Sequence, residues 1–173
     1  MRISRDEMFT QITQVVAQRS TCHRFKVGAL IVKEGRIISM GYNGPVAGRP
    51  ECKKIPTFEE LITDPVYQGR AASKVIQELE NHPFLCEGPG CTRSLHAETN
   101  AIAFAAKAGV SVEGCTLYCS LSPCINCAKV IVNSGIREVK FLKKYRNEEG
   151  IRFLQESGIA VVDMGEMADE SDS

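Results

Sequence analysis

Residues 96–98 read His-Ala-Glu, and residues 122–127 read Ser-Pro-Cys-Ile-Asn-Cys. His96, Cys124 and Cys127 carry side chains that bind zinc well, and Glu98 carries one suited to proton transfer. A structural zinc normally takes four protein ligands, whereas a catalytic zinc takes three and leaves one position for water. The pair of motifs therefore predicts a catalytic zinc centre.

Both motifs stand where helices are predicted to begin. Cys124 and Cys127 are three residues apart, so on a helix they share one face. Pro123 suits the first helical turn, where its missing N–H costs nothing. Residues 97–108 carry apolar side chains at helical spacing. Because the positive end of a helix dipole lowers thiol pKa values, we expect zinc to be held between two helix N-termini.

Glu98 remains once three zinc ligands are assigned. In zinc enzymes, water on the metal has a pKa of about 7. A neighbouring carboxylate can take that proton, pass it to a ring nitrogen and later protonate departing ammonia. An H-x-E motif followed by P-C-x-x-C is typical of zinc nucleobase deaminases, in which a carbonyl replaces an amine.

Each motif taken alone has a simpler interpretation. A single C-x-x-C is typical of a structural zinc half-site or a redox pair, although a thioredoxin-like context is absent here. A single H-x-E at a helix start can be only a capping and surface feature. Both motifs together, each opening a helix, favour catalytic zinc.

The bulk composition is that of an ordinary globular domain. The chain has 173 residues, of which 43% are hydrophobic and 24% charged, and its formal net charge is zero. A neutral chain does not favour broad nucleic-acid binding, which needs a basic stripe. No apolar run reaches membrane-spanning length, and the first residues carry no apolar signal region. We expect a cytoplasmic protein that binds neither membrane nor nucleic acid.

Helices and strands alternate along the chain. Ser4 and Glu7 form a capping-box pattern before a first helix, and Glu34-Gly35 predicts a hairpin turn. Gly135 and Gly158 stand where glycines commonly end helices. Strands are predicted at 27–33, 36–42, 116–120, 138–142 and 160–164, and further helices at 70–80, 97–108, 124–134 and 149–157. This alternation predicts an α/β fold in which helices pack on a mixed five-stranded sheet.

We expect a single domain over residues 1–173. Asn43-Gly44-Pro45 is predicted to break regular structure. Residues 46–94 are interpreted as an insertion within the same domain, and residues 165–173 as a solvated acidic tail.

Eight cysteines could indicate a disulfide scaffold, but the ordinary core composition and the absence of a signal region argue against one. Cys115 and Cys119, which flank or lie on a predicted strand, are interpreted as core residues.

The chain resembles the deoxycytidylate (dCMP) deaminases, a branch of the cytidine deaminase superfamily. The likeness extends from the first helix to the last strand, and Gly41-Tyr42-Asn43-Gly44, together with the long insertion before His96, narrows the family to the dCMP branch. It rests on four motifs: Val27-Gly28-Ala29, Gly41-Tyr42-Asn43-Gly44, His96-Ala97-Glu98 and residues 122–127.

The resemblance implies a three-layer α/β/α sandwich and the reaction of dCMP with water to give dUMP and ammonia, which supplies thymidylate synthesis. His96, Cys124 and Cys127 would hold the catalytic zinc, with Glu98 as the proton shuttle. Asn43 would contact the substrate. Tyr145 would lie near the base or sugar, although a loop packing role is the alternative.

The resemblance also implies regulation and assembly. Members are commonly homo-hexamers, activated by dCTP and inhibited by dTTP, with Mg²⁺ accompanying the effector triphosphate. Gly41, Tyr42, Asn43 and Gly44 would lie near that effector, since glycine lets backbone N–H groups approach a phosphate. A simple flexible turn is the alternative.

The chain also resembles the phage-type branch of the dCMP deaminases, and this resemblance implies a second, structural zinc. Its candidate ligands are Cys22, Cys52 and Cys86, with Cys91, His82 or His23 as alternates; free thiols are the other interpretation. Phosphate recognition needs cations or backbone donors. Five cations lie close to predicted strand ends, and none is assigned as a ligand: Arg24, Lys26, Lys143, Lys144 and Arg146.

Two rival functions remain open. One is another base deaminase of the same superfamily, such as a tRNA adenosine deaminase, which should display basic residues for phosphates. The other is a non-enzymatic structural zinc module, such as a DNA-uptake accessory, which would leave Glu98 without a role.

Overall fold

The computed structural model describes residues 2–22, 24–49, 59, 63, 65, 67–80 and 93–165. The helices whose bounds fall in these ranges are α1 Arg5–Ala17, α2 Ala72–Glu80, α3 Ala97–Lys107, α4 Ile125–Asn133 and α5 Glu149–Glu156. The strands are β1 Gly28–Lys33, β2 Arg36–Tyr42, β3 Gly44–Pro45, β4 Ser94–Leu95, β5 Thr116–Cys119, β6 Glu138–Phe141 and β7 Ala160–Asp163. None of the helices in the described ranges is long and apolar enough to span a membrane.

The main sheet has five strands in the order β2-β1-β5-β6-β7. Strand β1 is antiparallel to both β2 and β5, whereas β5, β6 and β7 run parallel. The hairpin between β1 and β2 turns at Glu34 and Gly35, which both have positive φ, as a two-residue hairpin turn requires. The predicted mixed five-stranded sheet is confirmed.

Helices cover both faces of the sheet, which makes three layers. On one face α1 packs Phe9 and Val16 against Leu30 and Tyr118. The other face carries a larger core to which α3, α4 and α5 contribute. The fully buried members of that core include Ile31, Ala97, Ala101, Leu117, Ala128, Ile131, Val139 and Leu154. Alternating side chains on each strand supply the two faces, so the α/β/α arrangement follows from the period-two pattern.

Several local predictions are confirmed by the helix ends. The Ser4 side chain accepts a hydrogen bond from the Glu7 N–H at the start of α1. Gly135 and Gly158 follow α4 and α5 with φ near +77° and +79°, the left-handed conformation that glycine adopts without strain.

Two predictions need correction. Pro123 does not open the helix: Cys124 is the N-cap of α4, and Pro123 precedes it. Residues 44–45 are not irregular, because they form β3, a two-residue strand antiparallel to β4. Strand β4 comes directly before His96, so this small ladder joins the residues after Asn43 to the first zinc-ligand candidate.

Candidate metal centre and active-site cavity

The three zinc-ligand candidates lie at two helix N-termini. His96 is the N-cap of α3, and Cys124 is the N-cap of α4. Neither side chain caps its own helix, and the His96 imidazole instead faces the two thiols. Cys127 lies in the first turn of α4 and is buried. The candidate ligands therefore lie at two helix N-termini, and zinc binding between them stays a prediction.

The ligand atoms have the spacing that zinc needs. His96 Nδ1 lies 3.4 Å from Cys124 Sγ and 3.3 Å from Cys127 Sγ, and all three atoms lie within 4.8 Å of one another. Usual zinc–nitrogen and zinc–sulfur bond lengths place the N and S corners of a tetrahedron about 3.6 Å apart. Within the described ranges, this is the one group of His, Cys, Asp and Glu side chains that could share an ion. The donor set fits zinc.

The two thiols are electrostatically unequal without a metal. The hydrogen bond from the Cys127 thiol, together with one from His96, lowers the pKa of Cys124 to about 3 despite partial burial. The pKa of Cys127 is raised, because its thiol donates to Cys124 and because it is buried near Glu98. Both thiols must be deprotonated when their sulfurs bind a cation.

Glu98, the second residue of α3, is 4% exposed. Burial raises the pKa of its carboxyl group to about 7, although the charge of His96 opposes this. A carboxyl group with a pKa near neutrality can both accept and release a proton at physiological pH. The environment of Glu98 is therefore suited to the predicted shuttle.

A cavity of about 540 Å³ opens beside the ligand set. Such a volume lies within the range of small-molecule sites. His96, Cys124 and Glu98 line the cavity, so the metal centre and the carboxyl group face the same space. Its other lining residues include Cys22, Arg24, Phe25, Asn43, Ser94, Ser122, Asn126, Tyr145 and Arg146.

An aromatic pair forms part of the cavity wall. The rings of Phe25 and Tyr145 meet edge to face with centroids 6.5 Å apart, and the Arg146 guanidinium carbon lies 5.6 Å from the Tyr145 centroid. Tyr145 lines the cavity, and its substrate role stays a prediction. Sequence reasoning missed Phe25. The sequence carries only a weak signal, an aromatic residue between two cations, and the 52% exposed fraction of Phe25 is known only from the structure.

Asn43 lies at the opposite end of β2 from the hairpin turn and is buried. Its Oδ1 accepts hydrogen bonds from the Val27 N–H and the Ser20 hydroxyl, at 2.8 Å and 2.6 Å. Its Nδ2 donates to the Phe25 carbonyl oxygen at 2.8 Å. Asn43 thus holds the segment that carries Phe25 and also lines the cavity, which agrees with its predicted position.

The other residues of the Gly41–Gly44 motif have packing roles in this structure. A Cβ atom on Gly41 would lie 2.4 Å from the Ala97 carbonyl oxygen, and one on Gly44 would lie 2.7 Å from Thr21 Oγ1. The Tyr42 carbonyl oxygen accepts a hydrogen bond from Asn100 Nδ2. Close approach of helix α3 and of Thr21 explains these glycines, and binding of an effector there stays a prediction.

The predicted second zinc site is described only in part. Cys22 is buried and lines the cavity, and its N–H donates to the Ser20 hydroxyl. Cys52 and Cys86, and the alternates His23, His82 and Cys91, lie outside the described residues.

The five candidate cations separate into two groups. Arg24 and Arg146 line the cavity. Lys26 and Lys143 are exposed and are not among its lining residues, and Lys144 lies 3.5 Å from Asp163. Cys115 and Cys119 are buried as predicted, and burial raises the pKa of both thiols.

Comparison with known proteins places this site in a family. Residues 3–143 match the family model for the cytidine and deoxycytidylate deaminase zinc-binding region. Deoxycytidylate deaminase of Enterobacteria phage T2 is 40% identical over 164 residues, which is 87% of each chain. ComE operon protein 2 of Bacillus subtilis is 32% identical over 169 residues, covering 96% of this chain and 75% of that protein.

A solved structure shows the same fold. It is dCMP deaminase from the cyanophage S-TIM5 in complex with dCMP and dUMP, and it is 31% identical with a TM-score of 0.69. The match covers 95% of this chain and 99% of the other. The ligand set, the three-layer fold and these similarities agree, and the chain belongs to the cytidine and deoxycytidylate deaminase family.

Proposed function

We propose that this protein hydrolyses dCMP to dUMP and ammonia and so supplies dUMP for thymidylate synthesis. One observation carries the proposal: the buried Glu98 carboxyl group and the zinc-ligand candidates His96 and Cys124 line the same cavity. Relatives and a structural neighbour that are named for dCMP deamination support the choice of substrate.

The residues divide the chemistry between them. His96, Cys124 and Cys127 would hold a zinc ion, which as a Lewis acid makes water nucleophilic at neutral pH. Glu98 takes one proton from the attacking water and delivers it to a nitrogen of the pyrimidine ring, and then takes the second proton from the hydroxyl group of the adduct and delivers it to the leaving amine. In the net reaction one carbon–nitrogen bond breaks, a carbonyl forms at that carbon, and ammonia leaves.

The rest of the cavity matches a nucleoside monophosphate. Arg24 and Arg146 are the cations that line it, and a phosphate dianion needs such donors. Phe25 and Tyr145 offer aromatic surface to the base or sugar. Asn43 offers a polar contact beside them. Substrate recognition is therefore assigned to these five side chains.

The rival functions are less well supported. A tRNA or other polynucleotide substrate would need a basic surface, and the chain carries 21 basic and 21 acidic residues. A purely structural zinc module gives no reason to bury a carboxyl group beside a three-ligand set.

Further features are proposed on the family resemblance. The homo-hexamer is one of them, whereas one domain over residues 1–173 and a cytoplasmic location are proposed from the length and composition of the chain. The same resemblance supports dCTP activation and dTTP inhibition with Mg²⁺, an effector site at Gly41–Gly44, and a second zinc on Cys22, Cys52 and Cys86.

Initial rates against dCMP with and without each triphosphate test the regulation; a hyperbolic curve insensitive to both would contradict it. Metal analysis tests the second site, which requires about two zinc ions per chain instead of about one.

The central experiment measures ammonia release from dCMP, dCTP, cytidine, adenosine and guanine. We expect dCMP to be the preferred substrate. In Glu98→Gln we expect zinc to be retained and kcat to fall by at least about 100-fold, since the shuttle is lost. Glu113→Gln, which changes an exposed glutamate in the same way, is the matched control.

Two results would overturn the proposal. One is a wild-type protein, loaded with zinc, that releases no ammonia from dCMP. The other is a zinc-loaded Glu98→Gln protein that turns dCMP over at nearly the wild-type rate, because the carboxyl group would then have no part in the reaction. Cys124→Ala should lose metal and activity together.

A further inference from the structure

The side-chain amide of Asn43 has an orientation that its neighbours dictate. The Val27 N–H is a donor only, so the atom that faces it at 2.8 Å must be the amide oxygen. The Phe25 carbonyl is an acceptor only, so the atom that faces it must be the amide nitrogen. A neighbouring β-strand would normally form hydrogen bonds with the Val27 N–H and the Phe25 carbonyl oxygen. Here the side-chain amide of Asn43 forms both of these bonds.

Ser20 also contacts the Asn43 side chain. Its hydroxyl is buried and lies 2.6 Å from Asn43 Oδ1 and 2.9 Å from the Asn43 carbonyl oxygen, while its oxygen accepts the Cys22 N–H. The single hydroxyl hydrogen of Ser20 is assigned to the nearer oxygen, Oδ1, which then accepts from both the Val27 N–H and Ser20 and has both lone pairs occupied. Asn43 therefore has no acceptor left to offer to a ligand through its side chain.

The amide nitrogen of Asn43 can donate one more hydrogen bond. It carries two hydrogens, of which the Phe25 carbonyl takes one; no acceptor for the other is found within the part of the chain that the structure describes. Asn43 lines the cavity. The group that it can offer to a nucleotide is consequently an N–H donor.

We propose that Ser20 is a positioning residue: its hydroxyl holds the Asn43 amide so that the remaining N–H is presented to an acceptor oxygen of the bound nucleotide. This inference rests on the proposed function for the identity of the nucleotide. Ser20 itself is not among the residues that line the cavity, so it acts through Asn43.

The test compares four variants by their kinetics with dCMP and by calorimetric binding of dUMP. Ser20→Ala should raise KM for dCMP and Kd for dUMP about tenfold, the equivalent of one hydrogen bond, with kcat within about twofold and zinc content unchanged. Ser20→Thr, which keeps the hydroxyl, should restore both constants. In an Asn43→Ala background, adding Ser20→Ala should have no further effect on either constant.

Thr13→Val is the matched control. Thr13 is buried in α1 and donates to the Phe9 carbonyl oxygen at 2.8 Å, so the variant loses a comparable bond away from the cavity. It should lower Tm and leave KM unchanged. A purely structural role for Ser20 would give the same pattern as Thr13.

An unchanged KM and dUMP affinity in folded, zinc-loaded Ser20→Ala overturns the inference, as does a Ser20 effect that persists without Asn43. If Ser20→Ala does not fold, Ser20→Cys, whose thiol is a weak donor, is judged by the same criteria. Failure of the proposed function looks different: the wild-type protein would release no ammonia from dCMP, whatever the Ser20 variants do to dUMP binding.

Discussion

Replacing Gly41 with alanine should force β2 and α3 apart. Gly41 faces the first turns of α3, and a Cβ atom there would lie 2.4 Å from the Ala97 carbonyl oxygen and 2.5 Å from the Ala101 nitrogen. Because ordinary contacts begin near about 3.5 Å, the two elements must separate by about 1 Å. Both clashing atoms belong to the backbone, so no side-chain rotation relieves the contact.

The separation should affect stability and catalysis together. Overpacking of this kind costs about 3 kcal/mol, which lowers Tm by about 6–12 °C in a chain of this length. It also strains two hydrogen bonds between β2 and α3, from Ser39 Oγ to Ala101 and from Asn100 to Tyr42. Since α3 begins immediately after His96 and carries Glu98, a shift of about 1 Å should reduce kcat by about 100-fold.

Thermal unfolding and dCMP turnover on zinc-loaded protein measure the two effects. Gly158→Ala is the control, because its φ of +79° brings backbone strain but a Cβ atom there meets nothing within 4 Å. It should lower Tm by a few degrees, about 1 kcal/mol of strain, and leave kcat unchanged. A Gly41→Ala protein with wild-type Tm and kcat, altered only in its response to nucleoside triphosphates, would refute the packing argument and favour an effector role.

Three further predictions concern other parts of the molecule. Phe25→Ala should raise KM for dCMP about fivefold with zinc content unchanged, because an aromatic contact is worth about 1 kcal/mol; an unchanged KM in steady-state assays would exclude Phe25 from recognition. Burial raises the pKa of Asp6, but hydrogen bonds from Lys140 and Tyr118 outweigh it and hold the pKa below 3.8. The stability that Asp6 contributes is therefore present above that pH and is lost as pH falls through the lowered pKa. Asp6→Asn should accordingly lower the free energy of unfolding in urea by about 1 kcal/mol at pH 7 and by progressively less in acid. A loss of stability that does not depend on pH would contradict this. Leu154→Ala, at a fully buried position in α5, should cost about 2–5 kcal/mol in the same assay and leave kcat unchanged, and a cost below about 1 kcal/mol would show that α5 is not packed as described.

Local signals accounted for much of the fold. The helix that follows His96 and the one that follows Cys124 were predictable from apolar spacing, and Gly135 and Gly158 correctly predicted helix ends. The ligand set was predictable for a related reason. A zinc site needs few donor types, and two short motifs contain all of them.

Features that depend on distant segments were not predictable. The ladder of β3 with β4 pairs Gly44 with Leu95, and two residues are too few to carry a strand pattern. Phe25 joins the cavity wall only because Asn43 holds its segment from another strand. The reason for glycine at position 41 is a helix that crosses it, which no local pattern reveals.

The ladder between β3 and β4 also bears on how such proteins can diverge. Gly44 pairs with Leu95 and Pro45 pairs with Ser94, so the two ends of the intervening segment lie side by side. Asn43 directly precedes the first end, and His96 directly follows the second. Lengthening a connection whose ends are already joined costs little, about 0.6 kcal/mol for each doubling of its length. The intervening segment can accordingly be exchanged for one of another length, while Asn43 and the zinc-ligand candidate His96 keep their spacing.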